Sequence, residues 1–279
     1  IIALAALNEN VISPQKEIFS SGQISIPNRF DPEKPTIFRD WKAHGLTDMK
    51  RAIAVSSDVY FYAIGGGYED QVGLGISNIE KYCSLFGLGS KTGVEIPFEA
   101  SGNVPNPKWK EDNFKGEKWI LGNTYHTAIG QFGFLTTPIQ MARAISAIAN
   151  DGYLIKPTVI KKDTSEKHNY LKQNGTFLEI DKNKISVIKE GMRDAVVSGT
   201  AQGLFFNDFK VAAKTGTAEV GISKKFVNSW LVGFFPYDEP RYAFSIVLEK
   251  GPVENTIGGV FAMRNFFEWL LYNDSEYTN

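Results

Sequence analysis

FKVAAKTGTAEV, residues 209 to 220, is an apolar run that reads as a strand yet carries a lysine, two hydroxyls and a glycine at Lys214-Thr215-Gly216-Thr217. The alanines and Gly216 beside the lysine are small enough for a ligand to approach the main chain. A lysine in a strand ordinarily faces water, so a lone K-T-G is a solvated edge; here it is followed by NSWLVGFFP, residues 228 to 236. Three β-rich runs, near 209 to 220, 227 to 236 and 241 to 249, with PYDEPR as the turn between the last two, predict an antiparallel meander. Its edge strand is equipped to hold a carboxylate.

Helical patterns precede the meander. IIALAAL, residues 1 to 7, is apolar almost all round and predicts a buried helix over 1 to 9. Residues 10 to 45 are mixed and read as loops with short elements. LTDMKRAIAVS shows helical spacing at Leu46, Met49, Ile53 and Val55, with Thr47 and Asp48 as start candidates and Ser56 where the helix ends. Further helices are expected near 76 to 86, at 136 to 150 with Pro138 in the first turn and Asp151-Gly152 as the stop, and at 182 to 197 closed by Ser198-Gly199. A last helix near 258 to 272 covers the strands. Helices first, then a meander and a closing helix, indicate one α+β domain over residues 1 to 279.

Composition narrows the function. A 279-residue chain that is 43% hydrophobic and 22% charged is an ordinary globular sequence. Its net charge of -1 argues against a nucleic-acid partner. No stretch has the roughly 18 to 20 apolar residues of a bilayer span, and the apolar start lacks the basic flank and cleavage site of a signal peptide. Cys83 is alone, so no disulfide framework or thiolate metal set is expected. His126 and His168 have no carboxylate or cysteine at ligand spacing, so no metal is expected. No cofactor is implied.

AVSSDVYFY, residues 54 to 62, places Ser56 and Asp58 around Ser57 between two apolar stretches. Either Ser57 or Asp58 could simply cap a following helix. Together with Lys214-Thr215-Gly216, however, this segment resembles the S-x-N and K-T-G elements of penicillin-binding proteins. IGQFGFLTTPIQMARAISAIANDG, residues 129 to 152, is similar to that family's Gly-Gln-Gly and Thr-Pro-x-Gln-x-Ala segment, with Phe132 intervening between Gln131 and Gly133. FRDWKAHGLTDMKRAIAVSSDVYFY, residues 38 to 62, points to the elongation-type transpeptidases, the penicillin-binding protein 2 class.

The resemblance implies a transpeptidase fold and acyl transfer. A serine attacks the D-Ala-D-Ala bond of a peptidoglycan stem peptide, and an amine of a neighbouring stem resolves the acyl-enzyme. It implies that Ser56 relays a proton, Asp58 orients the catalytic lysine, and Lys214 supplies positive potential. Thr215 and Thr217, with Gly216 between them, bind the substrate carboxylate, and the Thr217 N–H is an oxyanion donor. An aspartate beside an ammonium should favour the charged lysine. β-Lactam antibiotics are implied ligands, and cell-wall elongation proteins, a glycosyltransferase and a scaffold, are implied partners. The implied location is the bacterial inner membrane, facing the periplasm, with the anchor outside this chain. Two alternatives share the fold: a β-lactam hydrolase or sensor, and a non-catalytic cell-wall scaffold.

The family's nucleophilic S-x-x-K is expected upstream, opening the helix that IIALAAL continues. Two family strands are expected upstream as well, so residues 1 to 279 alone are expected to be neither stable nor active, with a segment outside them completing the sheet. Ser13-Pro14-Gln15-Lys16 is a literal S-x-x-K, but no apolar helical period follows it, so it is expected to be a decoy. Lys91-Thr92-Gly93, without a long apolar run before it, is expected to be structural. Trp41, Trp109, Trp119 and Trp230 are expected to be packing residues, with Trp109 and Trp119 candidates for the cleft wall.

Overall fold

The computed structural model describes residues 1–28, 31–160, 167–221, 225–254 and 258–273; His168 belongs to a helix, but its side chain lies outside the described ones. Helix α1 (Ile2–Asn8) is followed by short strands β1 (Ile18–Ser20), β2 (Gln23–Ile26), β3 (Thr36–Arg39) and β4 (Gly45–Thr47). Helices α2 (Met49–Val55), α3 (Asp58–Gly66), α4 (Gly75–Leu85), α5 (Pro107–Asn113), α6 (Leu121–Ala128) and α7 (Pro138–Ala149) come next. The small pair β5 (Tyr153–Ile155) and β6 (Gly175–Phe177) brackets α8 (Lys167–Asn174), and α9 (Lys182–Ser198) leads into the main sheet. That sheet is β7 (Ala212–Val220), β8 (Phe226–Phe235) and β9 (Tyr242–Pro252), covered by α10 (Gly259–Asn273).

The main sheet is antiparallel in the order β7-β8-β9, so β7 is an edge strand, as the meander pattern requires. Strand alternation sends successive side chains to opposite faces. Val232 and Phe234 enter the core shared by α1, α2, α4 and α7, while Leu231 and Phe235 meet Met263 and Phe267 of α10. Each fully buried phenylalanine of this kind stabilises by roughly 1.5–3 kcal/mol, and Phe234 and Phe267 are both fully buried. The helices thus clamp β8 from both sides and leave the outer edge of β7 to a cleft.

Several helix ends obey local chemistry. Asp48 caps α2 by accepting from Arg51 N at 2.8 Å. Thr137 and Gln140 form a reciprocal capping box around Pro138 at the start of α7. At the other end of α7, Asp151 and Gly152 both take positive φ, 63° and 106°, and stop the helix as expected. Leu46 departs from expectation. It lies in β4 opposite Phe19 of β1, and it is exposed instead of continuing the apolar face of α2. The first helical residue is Met49 because the Asp48 cap sets the boundary. Helices α3, α5 and α6 are too short or too polar for periodicity to separate them from loops.

Two contacts carry the fold to the site. A Cβ on Gly199, just past α9, would lie 2.1 Å from the Ala54 carbonyl oxygen, so the ends of α9 and α2 meet backbone to backbone. Thr200 N donates to that same carbonyl at 3.0 Å. The hairpin β2-β3 is pinned by Phe38, whose ring lies 4.9 Å from Tyr125 and 5.9 Å from Tyr62. This fixes the segment that follows Arg39.

Candidate active site

Ser56 ends α2 in the left-handed region, φ 57° and ψ 53°, a conformation uncommon for a residue with a Cβ. Ser57 then caps α3, accepting from Tyr60 N at 3.4 Å, and Asp58 occupies its first turn. The capping reading of this triplet and the functional one are therefore both satisfied: the tight turn between two helices turns Ser56 and Asp58 into the cleft while Ser57 faces inward. Lys214 Nζ donates to Ser56 Oγ at 2.7 Å and to Thr215 O at 2.8 Å. Motifs 158 residues apart thus meet through one hydrogen bond.

The cleft has a volume of about 1620 Å³ and is lined by Ser56, Asp58 and the run Lys214 to Thr217. Thr200 joins them, its hydroxyl 2.6 Å from that of Thr215. In an antiparallel strand a residue's N–H and C=O point to the same side. Thr217 O accepts from Gln131 Nε2 at 3.2 Å, across the cleft from β8. The N–H groups of Thr215 and Thr217 therefore face the cleft as well, on the free edge of β7.

Burial pushes the Lys214 ammonium down to about 8, and Asp58 opposes that shift. The aspartate favours the charged form of this ammonium, but the low-dielectric surroundings outweigh it. Burial also raises the Asp58 carboxyl to about 7, with Asp40 adding to the rise and Lys214 opposing it. Such a raised folded-state value means that the unfolded chain releases the Asp58 proton first, so stability falls as pH climbs from about 4 to 7. Asp58→Asn should consequently raise the melting temperature by roughly 3–6 °C at pH 8 and change it little at pH 4. Thermal melts at the two pH values check this, and an equal shift at both would contradict it.

Asp40 was not visible as a site residue in the sequence. Its side chain is fully buried beside the cleft, where Oδ2 accepts from Ser57 Oγ and Val59 N, both at 3.0 Å, and Oδ1 accepts from Trp41 N at 2.8 Å. His44 Nε2 approaches Oδ1 to 3.5 Å. One carboxylate thus ties the Ser57 cap and the N–H of Val59, the second residue of α3, to the loop after β3. A lone aspartate in a mixed loop gives no pattern that would reveal this.

Trp41 corrects the packing expectation. It is 59% exposed, lines the cleft, and donates from Nε1 to Val55 O at 3.2 Å and Ser56 O at 3.1 Å. Trp230 also lines the cleft, from β8 beneath Gly216. Trp109 and Trp119 do not reach the lining; they back Phe132, which does.

The other motif copies lie elsewhere. Thr92 donates from N and Oγ1 to Glu99 Oε1 at 2.7 and 2.5 Å, and Gly93 N donates to Oε2 at 3.1 Å, so this K-T-G folds around its own carboxylate. Ser13 and Lys16 are exposed on a turn. A second literal S-x-x-K, Ser186-Val187-Ile188-Lys189, lies on α9. Ser186 donates to Glu190 Oε1 at 3.2 Å, and Lys189 Nζ is held by Asp151 at 2.5 Å and Ala149 O at 2.9 Å. Among the described residues there is no group of three or more potential metal ligands, and no helix is long and apolar enough to cross a membrane.

An edge-strand K-T-G bonded to a helix-turn serine is the arrangement of serine acyl-transfer enzymes that bind penicillin, and the sequence matches the penicillin binding protein transpeptidase domain over residues 1–263. The chain belongs to that family. It is similar to the peptidoglycan D,D-transpeptidase MrdA of Haemophilus influenzae, with 32% identity over 270 residues covering 89% of this chain and 40% of that protein. Penicillin-binding protein 2 of Helicobacter pylori, solved in complex with MreC, superposes with a TM-score of 0.77 at 30% identity, covering 97% of this chain and 48% of that one. Penicillin-binding protein 2 of Pseudomonas aeruginosa, solved in complex with WCK 5153, gives 0.79 at 26% identity, covering 100% and 62%. The chain spans about two fifths of the length of the curated relatives it matches.

Proposed function

We propose that the protein carrying this chain is a peptidoglycan D,D-transpeptidase of the elongation type, which cross-links stem peptides through a serine acyl-enzyme and is acylated by penicillins. The observation that carries this reading is the 2.7 Å bond from Lys214 to Ser56, which joins the two motifs beside a free strand edge.

In this reading the donor peptide ends its D-Ala-D-Ala at β7, where the Thr215 and Thr217 hydroxyls and the Lys214 ammonium take the terminal carboxylate. Gly216 lets the peptide approach the strand. The Thr217 N–H faces the position of the developing oxyanion, and a donor so placed is worth roughly 2.7–4 kcal/mol of barrier. Ser56, within reach of Lys214, passes the proton to the departing D-alanine amine, while Asp58 orients the catalytic lysine of the S-x-x-K element. The acyl-carrying serine is assigned to the family's S-x-x-K element, since Ser13 lies on an exposed turn and Ser186 faces Glu190.

The relatives support assembly with other cell-wall proteins, as in the Helicobacter pylori complex with MreC. Cross-linking of the cell wall further implies a location at the bacterial inner membrane with this domain facing the periplasm. The test uses the full-length protein with a fluorescent penicillin and with a stem pentapeptide donor plus an acceptor stem. Covalent label that persists and a cross-linked peptide product are expected. Rapid turnover of the label without a cross-linked product would favour a β-lactam hydrolase, and absence of any label would favour a non-catalytic scaffold.

A further inference from the structure

The loop between α6 and α7 reaches over the cleft, and its fastening differs from its contact with β7. Gly130 and Gly133 have φ of 78° and 76°, and Phe132 between them has φ 59°. A phenylalanine in that region is strained unless its surroundings hold it. Here the ring is held: it stacks 5.7 Å from Phe114 and meets Trp109 and Trp119 edge-on at 5.8 and 5.7 Å. A Cβ on Gly133 would lie 2.2 Å from the Trp109 ring, so the backbone itself rests on that indole. Asn103 Nδ2 donates to Gly133 O at 2.7 Å, and Gln131 N donates to His126 O at 2.8 Å.

Against this fixed backbone, the Gln131 side chain extends across the cleft and gives its Nε2 to the Thr217 carbonyl at 3.2 Å. That carbonyl lies on the free edge of β7. An extended ligand that adds to the edge as a strand brings its own backbone N–H to such a carbonyl. The glutamine amide occupies the lane that this N–H would take.

We infer that Gln131 is a specificity-determining residue of the cleft, an inference that rests on the transpeptidase reading of the site. Its amide satisfies the Thr217 carbonyl when a ligand has no N–H to offer, and it must be displaced when a ligand has one. Phe132, seated on its aromatic platform, keeps the amide within reach. Gln131 therefore narrows the advantage of peptide-like ligands over ligands that lack the pairing N–H.

The test compares acylation of the full-length protein by two probes, a penicillin whose acylamino side chain carries an N–H and a carbapenem whose hydroxyethyl group does not. Gln131→Ala and Gln131→Glu, the latter of similar length but with no donor, should each raise the penicillin-to-carbapenem ratio of second-order rate constants roughly three- to tenfold. The gain should appear in the concentration dependence and not in the maximal acylation rate. Phe132→Ala should move the ratio in the same direction by less, with a lower melting temperature. An unchanged ratio in both Gln131 variants, or equal slowing of both probes, would overturn the inference while leaving the transpeptidase reading intact. Absence of label on the unsubstituted protein would overturn both.

Discussion

Lys214→Ala in the full-length protein is expected to slow acylation by penicillin roughly 10²- to 10³-fold while leaving the melting temperature at pH 7 unchanged or raised. The two halves of this result have one cause. The ammonium is walled in beside Ser56, and burial pushes it down to about 8, so the fold holds a charge there at a cost. Removing the charge relieves that cost but deletes the positive potential at the edge of β7. Rates measured from pH 6 to 9 should also show the unsubstituted protein losing activity above about 8 as Lys214 deprotonates. Unchanged acylation by the alanine variant would remove Lys214 from the site.

Asp40→Ala is expected to destabilise the protein by about 3 kcal/mol and to cut acylation at least tenfold. Asp40 accepts from Ser57 Oγ and Val59 N in part-buried positions and from Trp41 N at an exposed one, so truncation strands the Val59 N–H and loosens the Ser57 cap. The turn that presents Ser56 then loses its tie to the loop after β3. Asp40→Asn keeps one acceptor oxygen and should lie between alanine and the unsubstituted protein in both measurements. Calorimetric melts and penicillin labelling check this, and an alanine variant with an unaltered melting temperature would contradict it.

These two residues also mark how far the sequence can be read. Lys214 stood out through the family resemblance, since a lone K-T-G reads as a solvated edge, and the structure brings it to Ser56. Ser56 and Asp58 also stood out by resemblance, since the triplet on its own reads as a helix cap, which Ser57 indeed supplies. Asp40 did not, because its meaning is tertiary; its partners Ser57 and Val59 are 17 and 19 residues away. Trp41 was misread as packing because tryptophan is more often buried than displayed, and only the approach of its loop to the end of α2 puts the indole at the cleft. Phe132 looked like a disruption of the Gly-Gln-Gly pattern, yet Trp109, Phe114 and Trp119 provide the platform that accommodates it. The strand order was readable from the short turn between β8 and β9, whereas Leu46 was misplaced because a single capping aspartate decides which side of it is helix.

The net balance at Lys214 was not readable from the sequence: Asp58 favours the charged ammonium, yet burial outweighs it and pushes the group down to about 8. An aspartate near an ammonium raises it by Coulomb attraction, an expectation that rested on the family resemblance and concerned the catalytic lysine of the S-x-x-K element. The larger opposing effect comes from burial, which depends on how α2, α3 and β7 close around the pair.

The most direct measurement of the site is a double-mutant cycle on penicillin acylation in the full-length protein, with Ser56→Ala, Lys214→Ala and the pair. If Ser56 and Lys214 act as one unit through their hydrogen bond, the double variant is about as slow as the slower single variant. If the two losses instead multiply, so that each substitution costs the same whether or not the other is present, the bond between the motifs is not a working part of the site.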